Sequence, residues 1–191
     1  MKLTISKRLS LVRDAIQSIE NQETKIEGAS DMIEAAISGG NRIYAAGNGG
    51  SAAEAMHFAT ELSGRYRSNR NSMPAIALNS DGTALTCIAN DFGWNSVFSR
   101  QLEAFGQSGD VFLAISTSGR SPNIVRGLET ARKRGLKTIG LLGKSGGEAL
   151  PLCDVAIVVE SDDTGAIQEA HLVVVHMLCE PLEPEAEENH Q

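Results

Sequence analysis

Short continuous apolar runs alternate along this chain with longer segments whose apolar residues recur every three to four positions. The runs at 42–46, 75–78, 111–115, 138–142 and 155–159 are too short for helices and read as strands buried on both faces. Between them, helical spacing covers 51–62, 82–89, 96–105, 122–134 and 164–179. Ahead of the first strand, Leu9, Leu11, Val12, Ile16 and Ile19, then Ile26, Met32, Ile33, Ala36 and Ile37, predict two helices within 4–38 that break near 21–24. Ser38-Gly39-Gly40-Asn41 stops the second of them. Residues 64–72 and 90–94 read as loops, and 143–147 as a glycine-rich turn. Strands that alternate with helices predict an α/β fold, a parallel sheet with helices on both faces and right-handed crossovers.

In such a sheet, ligands bind beyond the carboxyl ends of the strands, and both unusual loops of this chain fall there. Gly47-Asn48-Gly49-Gly50-Ser51 takes a strand into a helix. Its backbone N–H groups and the helix dipole together favour an anion such as a phosphate. Ser51 is placed to cap that helix and to donate its hydroxyl. A plain tight turn has the same composition, so the following helix matters: His57 and Glu61, four residues apart, share one of its faces. The second loop carries Ser116, Thr117, Ser118 and Ser121. Four hydroxyls without a lysine suit a phosphate held by hydrogen bonds, although a serine-rich helix cap looks similar. The P-loop pattern and the full dinucleotide fingerprint are both missing, which argues against those nucleotide sites. In the last helix Gln168, Glu169, His171 and His176 interrupt an apolar run, and are either surface-facing or buried for a purpose.

With 191 residues the chain suits one domain, and a 41% apolar but 4% aromatic composition predicts an aliphatic core. Residues 180–191 hold five glutamates and no Lys or Arg, so they carry −5 of the net −7. An acidic balance argues against general nucleic-acid binding, and 181–191 is expected to be a disordered acidic tail. Cys87, Cys153 and Cys179 are odd in number and widely spaced, and read as reduced packing cysteines of a cytoplasmic protein. The charged N-terminus does not read as a signal peptide, and no apolar stretch is long enough for a membrane span.

Five motifs in order, GNGGSAAEAMHFATELSGRY, ANDFG, ISTSGRS, GKSGG and QEAHLVVVH, resemble the sugar isomerase (SIS) domain and, within it, the phosphoheptose isomerases. The resemblance spans residues 1–180 as a single SIS domain, with helices in 4–38 and an α/β body in 42–180. It implies a three-layer, flavodoxin-like five-stranded parallel sheet. The implied activity converts sedoheptulose 7-phosphate to D-glycero-D-manno-heptose 7-phosphate through an enediol, as the first step of nucleotide-activated heptose biosynthesis. Glu61 and His176 would be catalytic. The substrate and its phosphate would meet Asn48, Gly49, Gly50, Ser51, Arg65, Asn90, Asp91, Ser116, Thr117, Ser118, Ser121 and Gln168. Zinc-bound members place the metal on residues matching His57, Glu61, Gln168 and His176, and the family assembles as homotetramers with active sites at subunit interfaces. A related SIS protein, an adaptor of the bacterial replication initiator, shares the loops but lacks the glutamate matching Glu61. A phosphosugar-binding adaptor is therefore the alternative, and Glu61 favours the enzyme. One tension is geometric. Gln168 and His176 are eight residues apart, about 12 Å along a helix and roughly 80° around it. Either the helix bends or the two come from different subunits, so each site is expected to draw on at least two chains.

Overall fold

The computed structural model describes residues 3–184. Two N-terminal helices, α1 (Ile5–Gln17) and α2 (Glu23–Ser38), are separated by a 3-10 turn at Glu20–Gln22. The α/β body follows as β1 (Ile43–Ala46), α3 (Gly50–Ser63), β2 (Ala75–Ala77), α4 (Gly82–Phe92) and α5 (Ser99–Phe105), then β3 (Val111–Ser116), α6 (Pro122–Lys133), β4 (Lys137–Gly143), β5 (Val155–Val159) and α7 (Thr164–Cys179). Local chemistry explains several of the starts. Asp81 accepts from the N–H groups of Thr83 and Ala84 at the head of α4, Asp163 from Ala166 at the head of α7, and Pro122 opens α6.

The five strands are all parallel, in the order β2-β1-β3-β4-β5. Strand order reverses at β1 and β3, so the loops that leave those two strands lie side by side. All six residues of β3 are buried. Val111, Leu113 and Ile115 face one layer with Phe58, Leu62 and Val174, while Phe112 and Ala114 face the other with Phe98, Leu102 and Leu128. The first layer is built from α1, α2, α3 and α7, the second mainly from α5 and α6. Arg8 fastens α1 to α7 through Asp163 at 2.6 Å and Glu169 at 2.8 Å. The Ala166 N–H, then Arg8, hold the Asp163 carboxyl below the usual carboxylate range.

Some details differ from the pattern. Asn90, Asp91 and Phe92 are the last turn of α4 instead of a loop, because the first residue able to stop the helix is Gly93, at φ +81°. A 3-10 turn over Trp94–Ser96 then precedes α5. The start of the expected tail is folded: Pro181 and Leu182 complete a 3-10 turn, Leu182 is buried, and Glu183 pairs with Arg70 at 3.0 Å. Residues 185–191 lie outside the described part. Cys179 is buried and Cys153 partly so, whereas Cys87 is exposed on α4. Among the described residues no helix is long and apolar enough to cross a membrane.

Candidate active site

The two loops at the switch point are tied to each other. Asn48 and Asn123 exchange a reciprocal pair of amide hydrogen bonds, 2.9 Å one way and 2.8 Å the other. Asn123, buried at the first turn of α6, is a residue of this candidate site that sequence reasoning missed. Its only signal was an amide directly after the ISTSGRSP turn. Gly49 has φ +57° and ψ −119°, a conformation that favours glycine, and no backbone carbonyl among the described residues accepts from the Gly49 or Gly50 N–H. Ser51 does not cap α3 as expected. The helix already starts at Gly50, and the capping position, Gly49, has no side chain to offer. Ser51 instead sits buried in the first turn.

In the second loop Ser116 is buried, its Oγ accepts from the Gly119 N–H at 3.1 Å, and it lies 3.4 Å from the Ser121 hydroxyl. Ser118 accepts from the Arg120 N–H at 3.2 Å. Ser118 and Arg120 help to line a cavity of about 600 Å³ together with Lys144 and Ser145. Gly119, at φ +62°, packs so closely on the Gly146 carbonyl that any side chain there would collide with it.

Further along α3 the ionisable residues converge. His57 Nε2 is 3.0 Å from Glu61 Oε1 and 3.2 Å from His176 Nε2, so α3 and the last turn of α7 aim three ligand atoms at one point. One proton on His57 Nε2 cannot serve both neighbours well. Three donors so arranged suit a cation. Ligands about 2.1 Å from a tetrahedral zinc stand about 3.4 Å apart, close to the spacings here. The cluster stays accessible, with the His57 side chain 39% and Glu61 19% exposed.

A clamp at the end of α3 holds this cluster, and sequence reasoning missed it as well. The Tyr66 ring stacks on His176 at 5.6 Å between centroids, and its hydroxyl donates to Glu180 at 2.9 Å. Burial, then Glu180, pushes the Tyr66 phenol up. Arg70 donates to the Glu61 and Leu62 carbonyls, closing the end of α3. Burial raises the Glu183 carboxyl, but hydrogen bonds from Ser68 and Arg70 outweigh it and hold the group below its usual range.

Other expected site residues stand apart. The Gln168 amide occupies the place a Cβ on Gly50 would take. That is seven residues, about 10 Å of helix, before His57, so within one chain Gln168 stays with the phosphate loop. Arg65, Asn90 and Asp91 are exposed. Asn90 donates to Asp91 at 2.7 Å, and no hydrogen bond or ion pair among the described residues joins these three to the cluster. His57, Glu61 and His176 bring their ligand atoms within 4.8 Å of one another in a single chain, so this part of the site does not need a second subunit.

A family model described as the SIS domain matches residues 9–143. The chain is 47% identical over 174 residues to a protein named phosphoheptose isomerase from Sulfurimonas denitrificans, covering 91% of this chain and 89% of that one. Among solved structures, the phosphoheptose isomerase of Neisseria gonorrhoeae superposes with a TM-score of 0.83 at 34% identity, covering 94% of this chain and 98% of the other. One from Francisella tularensis gives 0.87 at 32% identity, covering 92% and 93%.

Proposed function

The chain belongs to the SIS-domain family and, within it, to the phosphoheptose isomerases, and from that membership we propose how its residues carry out the reaction. It is an aldose–ketose isomerase acting on D-sedoheptulose 7-phosphate to give D-glycero-D-manno-heptose 7-phosphate. The phosphate sits between the paired loops, on the Gly49 and Gly50 N–H groups and the hydroxyls of Ser51, Ser116, Ser118 and Ser121, with Thr117 beside them. Asn48 holds the loops together through Asn123, and Gln168, beside Gly50, faces the sugar hydroxyls. Arg65, Asn90 and Asp91 meet the substrate only from a neighbouring subunit.

Glu61 takes a proton from C1, and His176 gives one to the oxygen on C2, which makes the enediol. His176 then accepts the proton of the C1 oxygen while Glu61 returns its own to C2, so no net proton or electron is exchanged. Oε1 of Glu61 is turned to His57, which leaves Oε2 for the proton transfer. A zinc ion on His57, Glu61 and His176 would polarise the substrate carbonyl as a Lewis acid. A carboxylate shared with a cation is a weaker base, so with such an ion bound Glu61 would work with part of its basicity spent. The assembly that goes with this reading is a cytoplasmic homotetramer that opens nucleotide-activated heptose biosynthesis.

The observation that carries the reading is the convergence of His57, Glu61 and His176 in a chain so similar to named phosphoheptose isomerases. An adaptor that only bound the phosphosugar would need the loops but not Glu61. The test is to incubate the protein with sedoheptulose 7-phosphate in deuterated water and follow it by NMR. The expected result is an aldose carrying deuterium at C2; bound but unconverted substrate would leave the adaptor.

A further inference from the structure

Helices α3 and α7 run side by side in the same direction: Gln168 lies at Gly50, His171 at Glu54, and His176 at His57 and Glu61. The middle contact belongs to neither the phosphate loops nor the cluster. The His171 side chain is 0% and that of Glu54 9% exposed, on helices whose neighbouring residues Ala55, Phe58, Ile167, Ala170 and Val174 are buried too. His171 Nε2 is 3.0 Å from the Leu142 carbonyl. A carbonyl only accepts, so Nε2 carries a proton. His171 Nδ1 then faces Glu54 Oε2 at 3.6 Å, and neither atom has any other partner among the described residues. Two lone pairs facing each other in an apolar seam are costly, and one proton between them satisfies both.

The geometry points to Glu54 and His171 as positioning residues: a buried dyad holding one shared proton, which locks α3 and α7 in register and fastens both to the end of β4. Leu142 is the cross-strand partner of Ser116, so the same lock joins the phosphate loop to the helices that carry the cluster. Glu54 lies one turn before His57 on α3, and a slip between the helices there separates Glu61 and His57 from His176. An apolar pair would fill the seam equally well, but it would leave sliding free. The role presumes the isomerase reading above.

The experiment compares the full-length wild type with Glu54→Leu and Glu54→Gln, by steady-state kinetics on sedoheptulose 7-phosphate and by nitrogen-15 NMR of His171. Glu54→Leu is expected to lower kcat about ten- to hundredfold with KM within about twofold, since a misplacement of an ångström costs that much. Glu54→Gln is expected within about threefold of wild type, because its amide donates to Nδ1 without a shared proton. The Nδ1 signal should move on that change while the Nε2–H signal stays. A folded Glu54→Leu with wild-type kcat overturns the proposal. So does a Glu54→Gln as impaired as Glu54→Leu, since a carboxylate would then be needed for more than spacing. Should Glu54→Leu not fold, an Nδ1 signal indifferent to Glu54→Gln overturns it. A wild type without turnover sinks the isomerase reading alone and leaves the NMR arm to judge the dyad.

Discussion

The seam between α3 and α7 contains two glutamate–histidine contacts, Glu54 with His171 and Glu61 with His57 and His176, and their surroundings give them different work. At Glu61 the oxygen-to-nitrogen distance is 3.0 Å, and the side chains open to solvent on one side. At Glu54 the gap is 3.6 Å and both side chains are buried. An accessible pair can meet a substrate or a cation and change its protonation during a cycle. A sealed pair can reach neither, and what it offers is a fixed distance between two helices. Residue type alone does not separate catalytic from positioning groups; access does.

The same substitution at both positions gives the largest expected contrast. Glu61→Gln keeps the shape and removes the base, so kcat falls by at least about a hundredfold with substrate still bound, whereas Glu54→Gln stays near wild type. Near-normal kcat in Glu61→Gln would erase the distinction. The comparison also fixes what mixing does. Because Glu61 and His176 meet within one chain, oligomers mixed from inactive E61Q and H176A subunits are expected to stay inactive after confirmed exchange. Recovered activity would mean that the working cluster is built across subunits.

A smaller effect is expected where neither pair is touched. Ser118→Ala removes one hydroxyl donor from the phosphate loop, a hydrogen bond to a charged acceptor worth roughly 1.5–3 kcal/mol. KM rises roughly tenfold or more, and kcat with saturating substrate changes little. A fall in kcat at unchanged KM would instead couple the loop to proton transfer, through Ser116 and its cross-strand partner Leu142.

The alternation of periods in the sequence was enough to place every strand and α-helix within a few residues, since both β3 faces are buried and the helices carry ordinary amphipathic stripes. The loops were legible as strand-to-helix turns because glycines and serines cluster where each strand ends. What stayed hidden depends on side chains far apart in sequence. Nothing local marks Asn123 as the partner of Asn48, or tells buried His171 from accessible His176 five residues later. Helix continuation through Asn90–Phe92 was also missed: Asn and Asp are poor helix formers, but they are tolerated on an exposed final turn before Gly93. Pro181–Pro184 looked like part of a solvated acidic end because the pairing of Glu183 with Arg70 is a contact of the fold.

The smallest expected effect concerns Tyr66, which shares features of both regions. Its ring lies on His176 beside the open cluster, while its hydroxyl is anchored to Glu180 near the surface. Tyr66→Phe keeps the stack and removes only the anchor, a hydrogen bond in partial contact with water and so worth little. Activity should stay within about threefold of wild type, and Arg67, 2.7 Å from Glu180, keeps the segment after α7 in place. Tyr66→Ala removes the ring as well, which frees His176 to turn away from His57. That variant should lose about tenfold or more in kcat, as expected when a catalytic group loses its orientation. If Phe and Ala are equally mild, His176 is held by the cluster itself, and the boundary between the accessible chemistry and its support lies inside the three ligands instead of at Tyr66.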